Sequence, residues 1–172
     1  TSLARDNIET EPTPLSPVGL RLKQRGNLDA TKAFRQGLIE VQDEGSQLIA
    51  LLTGAKPGMT IVDSCAGAGG KTLALADAMG LQGGSEAKGR LVACDISAKR
   101  LARMDERIER AGAGAIERHV LKETGDTLSI AADRVLVDAP CSGVGAWRRH
   151  PEARWRLTPE RLAELMALQD RV

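Results

Sequence analysis

Aromatic residues are scarce in this chain of 172 residues, which has no tyrosine, one phenylalanine and two tryptophans. The chain therefore has few side chains on which nucleobases could stack. Cysteine is also rare, and its three residues are too few and too scattered for a disulfide framework. No two of them form a CxxC pair, so no zinc site or other metal partner is expected. Reduced thiols in a cytoplasmic protein are the expected state of Cys65, Cys94 and Cys141.

Long apolar runs are absent as well, and no stretch approaches the length of a membrane span. The first ten residues carry acids and no apolar segment, so neither a secretory signal nor a membrane partner is expected. Apolar residues at 42% and charged residues at 27% are typical of one globular domain. The net charge of +1 favours no partner, but residues 147–161 hold five arginines against two glutamates: Arg148, Arg149, Arg154, Arg156 and Arg161.

The first 30 residues contain Pro12, Pro14 and Pro17 without a sustained hydrophobic period, which predicts an extended arm or linker. The chain is therefore divided into an N-terminal arm with a lead-in segment, residues 1–40, and a catalytic domain, residues 41–172. Ser46 is predicted to cap a short helix that ends near Gly54.

Apolar runs and helical periods alternate along the rest of the chain. Strands are predicted over residues 60–64, 90–94, 116–121 and 134–137. Helices are predicted over 71–79, from Ser97 to Gly112, and after a cap at Thr158. This alternation indicates an α/β fold with a parallel sheet. A doubly wound domain usually has more than four strands, so we expect C-terminal strands of the domain to be missing.

A glycine-rich loop, residues 65–70, lies between the first of these strands and its helix. Such a loop lets the backbone approach a ligand, and the helix N-terminus offers free N–H groups to an anion. One candidate is a nucleotide phosphate, since Gly70, Lys71 and Thr72 match the end of a P-loop and Asp138 could bind magnesium. However, Cys65 stands where the P-loop needs its first glycine. The other candidate is the methionine carboxylate of S-adenosylmethionine.

Asp95 favours the methionine ligand. It ends the second predicted strand, where a carboxylate can accept hydrogen bonds from both ribose hydroxyls of a nucleoside. The alternative is a negative charge at the N-terminus of the helix that follows Ser97.

An acid and a thiol lie together in the hexapeptide DAPCSG, residues 138–143, directly after an apolar strand. Methylation at C5 of cytosine needs both groups, because a thiolate must add to C6 and a carboxyl group can stabilise N3 as charge develops. Asp138 and Cys141 are therefore the candidate catalytic residues, and Pro140 stiffens the turn that presents them. The alternative is an acid that ends a strand beside a packed cysteine.

These motifs resemble the RNA (cytosine-5) methyltransferases of the bacterial Sun and eukaryotic Nop2/NSUN group. The resemblance rests on residues 41–47 (VQDEGSQ), 63–72 (DSCAGAGGKT) and 138–143, followed by WRRHP at 147–151. It implies a Rossmann-like methyltransferase fold, a mostly parallel sheet with helices on both faces. It also implies S-adenosylmethionine as cofactor and RNA, expected to be ribosomal RNA, as substrate.

The resemblance assigns roles to individual residues. The methionine end of the cofactor would lie on Cys65, Ala66, Gly67, Ala68, Gly69, Gly70 and Lys71. Asp95 would bind its ribose, Asp126 would lie near its adenine, and Asp138 would line both cofactor and target base. Arg148, Arg149 and Arg154 would face RNA phosphates.

The chain departs from the family at two points. Ala68 stands where the family loop usually has proline, a change that we expect cofactor binding to survive. The family also places its covalent nucleophile in a later Thr-Cys-Ser motif, which this sequence does not contain. Cys141 would then help to release the product, and this chain alone would bind cofactor without turnover. A non-catalytic module that binds cofactor or RNA is therefore kept as an alternative, together with the P-loop NTPase.

Overall fold

The computed structural model describes residues 2–82, 89–122 and 128–172. Its N-terminal part contains short elements where an extended arm was predicted. They are helix α1 (Ser2–Arg5), strands β1 (Thr10–Pro12) and β2 (Leu20–Leu22), a 3-10 helix (Leu28–Ala30) and helix α2 (Lys32–Arg35). The two strands pair antiparallel. The prediction of an extended arm is wrong here, because elements of three or four residues are too short to show a hydrophobic period.

Four parallel strands form the central sheet in the described part of the chain. They are β3 (Thr60–Asp63), β4 (Arg90–Asp95), β5 (Ile116–Val120) and β6 (Arg134–Leu136). Their order across the sheet is β5-β4-β3-β6. The predicted strands are confirmed to within one residue at each end, and so is the predicted parallel α/β sheet.

The two central strands are buried on both faces, as an apolar run without alternation predicts. On one face, Ile61 and Leu91 pack with residues of the helices that follow β3 and β4. On the other face, Val62 and Val92 pack against Leu121, Leu128, Ile130 and Ala132.

Strand β6 is more exposed than its apolar sequence suggests. It pairs only with β3 among the described strands, and of its apolar side chains only Leu136 is buried. Val135 and Val137, which point to the opposite face, are 57% and 52% exposed. The sequence shows an apolar run, but it does not show that the strand lies at the edge of the described sheet.

Five further α-helices lie within the described ranges. They are α3 (Glu44–Leu52), α4 (Gly70–Ala78), α5 (Ala98–Ala102), α6 (Asp105–Ala111) and α7 (Pro159–Gln169). Two 3-10 helices, Val144–Ala146 and Pro151–Arg156, precede α7. None of the helices in the described ranges is long and apolar enough to cross a membrane.

The ends of the helices can be compared with the predicted ends residue by residue. Thr158 accepts a hydrogen bond from the Arg161 amide and caps α7 as predicted. The predicted cap of α3 is wrong: Asp43 caps it by accepting from the Ser46 amide at 3.1 Å, so the helix starts before Ser46. The helix predicted between Ser97 and Gly112 is two helices, because the Met104 amide bonds the Leu101 carbonyl in a tight turn between them.

Candidate cofactor and active site

The carboxyl ends of β3, β4 and β6 meet at one edge of the sheet. From β3 the chain passes to β4 and β5 on one side and then returns to β6 on the other side of β3, so the strand order reverses at β3. In open parallel sheets a ligand crevice forms at such a switch point. A cleft of about 350 Å³ lies there, lined by Val41, Gln42, Asp43, Ser46, Asp63, Cys65, Ala66, Gly70, Lys71, Arg107, Asp138 and Arg149.

The glycine loop is fastened to both neighbouring strands. The Ser64 amide donates to the Leu136 carbonyl at 2.9 Å, and the Ala66 amide donates to the Cys94 carbonyl at 2.8 Å. Gly69 adopts φ of 85°, and a Cβ there would lie 2.4 Å from Cγ of Met104. Only glycine fits this position, which explains how the loop turns directly into α4. The loop is therefore held in shape by the fold before any ligand binds.

The predicted cofactor residues divide into two groups. Cys65, Ala66, Gly70, Lys71 and Asp138 line the cleft, whereas Gly67, Ala68, Gly69 and Asp95 do not. Asp126 lies outside the described residues.

Asp95 supports the far side of the glycine loop. It is 3% exposed, and its Oδ2 accepts from the Gly67 amide at 3.0 Å. Its Oδ1 accepts from the Ser97 amide at 2.8 Å and lies 2.8 Å from a guanidinium nitrogen of Arg100. The contacts with Ser97 and Arg100 agree with the alternative interpretation, a negative charge at the start of α5, and the ribose role of Asp95 stays a prediction. A carboxylate has about four acceptor positions, and three of those of Asp95 are used by these contacts.

Lys71 and Asp138 form an ion pair inside the cleft. Nζ of Lys71 lies 2.5 Å from Oδ2 of Asp138, with side-chain exposures of 16% and 45%. The pair joins the start of α4 to the loop after β6, two segments that the sequence separates by 67 positions. It brings together one residue predicted for the cofactor and one predicted for catalysis.

Cys141 lies on the loop after β6 but outside the lining of the cleft. It is an exposed free thiol. The loop is fastened to α7, since Nε2 of Gln169 donates to the Pro140 carbonyl at 2.7 Å. The structure therefore brings Asp138, but not Cys141, to the cleft wall.

The other two thiols are poor nucleophiles. Burial raises the pKa of the Cys65 thiol, and burial raises the pKa of Cys94 to about 11. Both shifts favour the protonated form, which is the unreactive one. Among the described residues, no group of three or more His, Cys, Asp or Glu side chains could hold a metal ion.

The predicted RNA-binding arginines are exposed, but they occupy different places. Arg149 lines the cleft, and its Nη1 lies 3.4 Å from Oδ2 of Asp43. Arg154 stacks its guanidinium 4.5 Å from the ring centroid of Trp155, whose side chain is 77% exposed. Arg148 is exposed in the turn before them.

Asp63, Gln42 and Arg107 are among the cleft residues that were not assigned a role from the sequence. Arg107 donates from Nη1 to the Ala68 carbonyl at 2.7 Å and from Nε to Glu40 at 3.1 Å. Glu40 also accepts from Arg110 at 2.6 Å. The arginine spacing on α6 is ordinary for a solvated helix face, so the sequence gave no sign that these arginines bind the Ala68 carbonyl and Glu40. Gln42 and Asp63 do lie in the motifs that carry the family resemblance.

Asp63 is the most buried acid of the cleft. It is 1% exposed, and burial raises its pKa to about 6, an effect that the Thr72 hydroxyl partly offsets. That hydroxyl donates to Oδ2 at 2.6 Å. Oδ1 is buried and accepts no hydrogen bond of good geometry among the described residues, although the nearby Cys65 amide still lowers the pKa of this carboxyl.

Comparison with known proteins agrees with this geometry. A family model described as 16S rRNA methyltransferase RsmB/F matches residues 50–172. The chain belongs to this family. Membership confirms the family resemblance and decides against the P-loop NTPase, and S-adenosylmethionine is the family's cofactor.

The members that resemble it are longer proteins. The chain is 33% identical over 180 residues to ribosomal RNA small subunit methyltransferase B of Pasteurella multocida, matching all of the chain but 38% of that protein. The crystal structure of PH0851 superposes with a TM-score of 0.80 at 32% identity, covering 99% of this chain and 40% of that one. NSun6 from Pyrococcus horikoshii with SFG, an S-adenosylmethionine analogue, gives 0.59 at 27% identity, covering 80% and 40%.

Proposed function

We propose that this chain forms the cofactor site and part of the active site of an S-adenosylmethionine-dependent RNA (cytosine-5) methyltransferase that acts on ribosomal RNA. The observation that carries the proposal is the ion pair between Lys71 and Asp138 at the sheet's switch point. It joins the two motifs that cytosine methylation needs, the cofactor loop and the DAPC segment, in a member of an rRNA methyltransferase family. A ribosomal RNA substrate would place the protein in the cytoplasm.

The glycine loop, Asp95 and Lys71 are the residues that would hold the cofactor. When bound, S-adenosylmethionine supplies an electrophilic methyl group on a sulfonium. Asp138 would meet the target cytosine at N3, where a carboxyl group stabilises the charge that develops when a cysteine thiolate adds to C6. Lys71 fixes the direction of that carboxylate before the base arrives, so less reorganisation is needed.

Cys141 is proposed to act after methyl transfer. Loss of the C5 proton allows the C6–S bond to break, which returns the thiolate and restores the aromatic base. Cys141, an exposed free thiol on the same loop as Asp138, would assist this elimination. The covalent nucleophile itself would come from a Thr-Cys-Ser motif in the longer protein.

RNA would approach across Arg149, Arg148 and Arg154. Arg149 lies at the cleft, so a phosphate next to the target base could replace its contact with Asp43. The exposed Trp155 beside Arg154 offers one stacking face, although the chain has few aromatic residues.

The proposal is tested by methyl transfer from labelled cofactor to unmodified 16S rRNA. This chain is compared with the same protein extended past Val172, and with an extended Asp138→Asn variant as control. We expect transfer by the extended protein alone and a strong loss in the variant. In the extended protein, Cys141→Ala should accumulate a covalent protein–RNA adduct. Absence of transfer from every version would instead support a non-catalytic binding module.

A further inference from the structure

We propose that Glu40 is a positioning residue for the glycine loop, although it lies outside the lining of the cleft. It acts through Arg107, whose guanidinium group it holds against the loop. This role rests on the proposed function, in which the loop binds S-adenosylmethionine.

Arg107 supports the glycine loop from α6. Its Nη1 donates to the Ala68 carbonyl at 2.7 Å, between two glycines with left-handed backbone, Gly67 at φ of 56° and Gly69 at φ of 85°. Glycines have much backbone freedom, so a hydrogen bond that fixes the carbonyl between them narrows the shapes that the loop can adopt. Met104, three positions before Arg107, lies against Gly69. The start of α6 therefore supports the loop at two neighbouring points.

Glu40 sets the position of Arg107. Its Oε2 accepts from Nε of Arg107 at 3.1 Å and from Nη2 of Arg110 at 2.6 Å. The side chains of Arg107, Arg110 and Glu40 are 22%, 12% and 26% exposed, and neither arginine has another acidic partner among the described residues. Without this carboxylate, two poorly solvated guanidinium groups of like charge would lie side by side, which favours a turn of Arg107 away from the loop.

Glu40 also belongs to a segment that docks on the end of α6. Phe34 lies under the guanidinium group of Arg110, 4.0 Å from it at the ring centroid. Gly37, with φ of 69°, passes so close that a Cβ there would be 2.0 Å from the Arg110 carbonyl oxygen. Phe34, Gly37 and Glu40 therefore contact the same residue of α6. The docking of this segment is linked to the shape of the glycine loop through Glu40 and Arg107.

Calorimetry with S-adenosylhomocysteine tests this role, because Glu40 does not line the cleft and its effect on the ligand has to be indirect. Glu40→Gln keeps the shape of the side chain and removes its charge. We expect it to weaken binding roughly tenfold, within the range of about 5- to 150-fold that is usual for coupling between separate sites. In the extended enzyme it should raise KM for S-adenosylmethionine more than it lowers kcat.

Glu117→Gln is the matched control. Glu117 also accepts two hydrogen bonds from an arginine, Arg90, at 2.8 Å each, but it lies on the edge strand β5. The control removes the same charge and the same number of hydrogen bonds, and it should leave the binding of S-adenosylhomocysteine unchanged.

A double variant separates action through Arg107 from an independent effect. Arg107→Met should weaken S-adenosylhomocysteine at least as much as Glu40→Gln does, and adding Glu40→Gln to it should cause no further loss. Amide hydrogen exchange needs no ligand. In Glu40→Gln, exchange should be faster at Ala66 and Gly69, whose amides are hydrogen bonded, while exchange in β4 should match that of the unaltered chain.

The role is overturned if Glu40→Gln binds S-adenosylhomocysteine as tightly as the unaltered chain, or if Glu117→Gln weakens binding equally. Losses that add in the double variant, or unchanged exchange at the loop in Glu40→Gln, overturn it as well. If the unaltered chain binds no S-adenosylhomocysteine, the proposed function fails, and exchange at the loop still decides whether Glu40 holds it.

Discussion

Replacing Asp63 by asparagine should change how the stability of the protein depends on pH. Asp63 is almost completely buried, and its pKa is about 6 against an ordinary value of 3.8. Because the folded state raises this pKa, the protonated carboxyl is the stable form inside the fold. Its contribution to stability is fully present below about pH 3.8 and is lost as the pH rises through about 6. Asparagine cannot ionise, so the variant lacks this loss.

The size of the effect follows from the two pKa values. Full ionisation of a carboxyl raised from 3.8 to about 6 costs about 3 kcal/mol of folding free energy. Between pH 4.5 and pH 7.5 the wild type should lose about 2 kcal/mol relative to Asp63→Asn. This change lies well above the error of a comparison between two matched unfolding curves.

Urea unfolding followed by circular dichroism, at several pH values across that interval, measures the difference in free energy of unfolding. Asp77→Asn, an exposed change on α4, controls for the loss of one negative charge. A difference between wild type and Asp63→Asn that stays constant from pH 4.5 to 7.5 would refute the reasoning. So would a difference that moves in the wild type's favour as the pH rises.

Three further predictions concern the loop, the ion pair and the RNA surface. Gly69→Ala should lower the free energy of unfolding by about 2 kcal/mol, because alanine disfavours the left-handed φ and its Cβ would collide with Met104. Gly114→Ala, where a Cβ meets open space, should leave the free energy of unfolding unchanged. Urea unfolding of both variants measures the difference. Lys71→Met should lower kcat of the extended enzyme roughly 100-fold, because Asp138 loses its orienting partner; an unchanged kcat would contradict the role of the pair. Arg149→Gln should weaken RNA binding and reduce the slope of log affinity against log salt by about 0.7 to 1, as measured by filter binding at several salt concentrations. An Arg21→Gln control should leave both quantities unchanged.

The central strands could be predicted from the sequence because each is a short apolar run next to a turn signal. Ile61 and Val62, or Leu91 and Val92, have to be buried on opposite faces, and that requirement is visible residue by residue. The glycine loop and the DAPC segment were located for the same local reason. Their meeting at one cleft followed from parallel strand order, which places carboxyl ends on one edge.

Other features depend on contacts between distant segments. Nothing local indicates that Lys71 pairs with Asp138, or that Arg107 holds the Ala68 carbonyl and Glu40. The exposure of Val135 and Val137 depends on which strands lie beside β6 in the sheet. The start of α3 depends on whether Asp43 or Ser46 caps the helix, and the structure shows that Asp43 does. The sequence also could not show that Cys141 lies outside the cleft lining, because its closeness to Asp138 along the chain suggested that the two form a catalytic pair in one site.

Calorimetric titration of this chain with S-adenosylhomocysteine and, separately, with ATP–magnesium is the decisive measurement for the proposed cofactor site. We expect one-to-one binding of S-adenosylhomocysteine, weakened by Asp95→Asn, and no heat of binding with ATP–magnesium. Binding of ATP–magnesium without binding of S-adenosylhomocysteine would contradict this expectation.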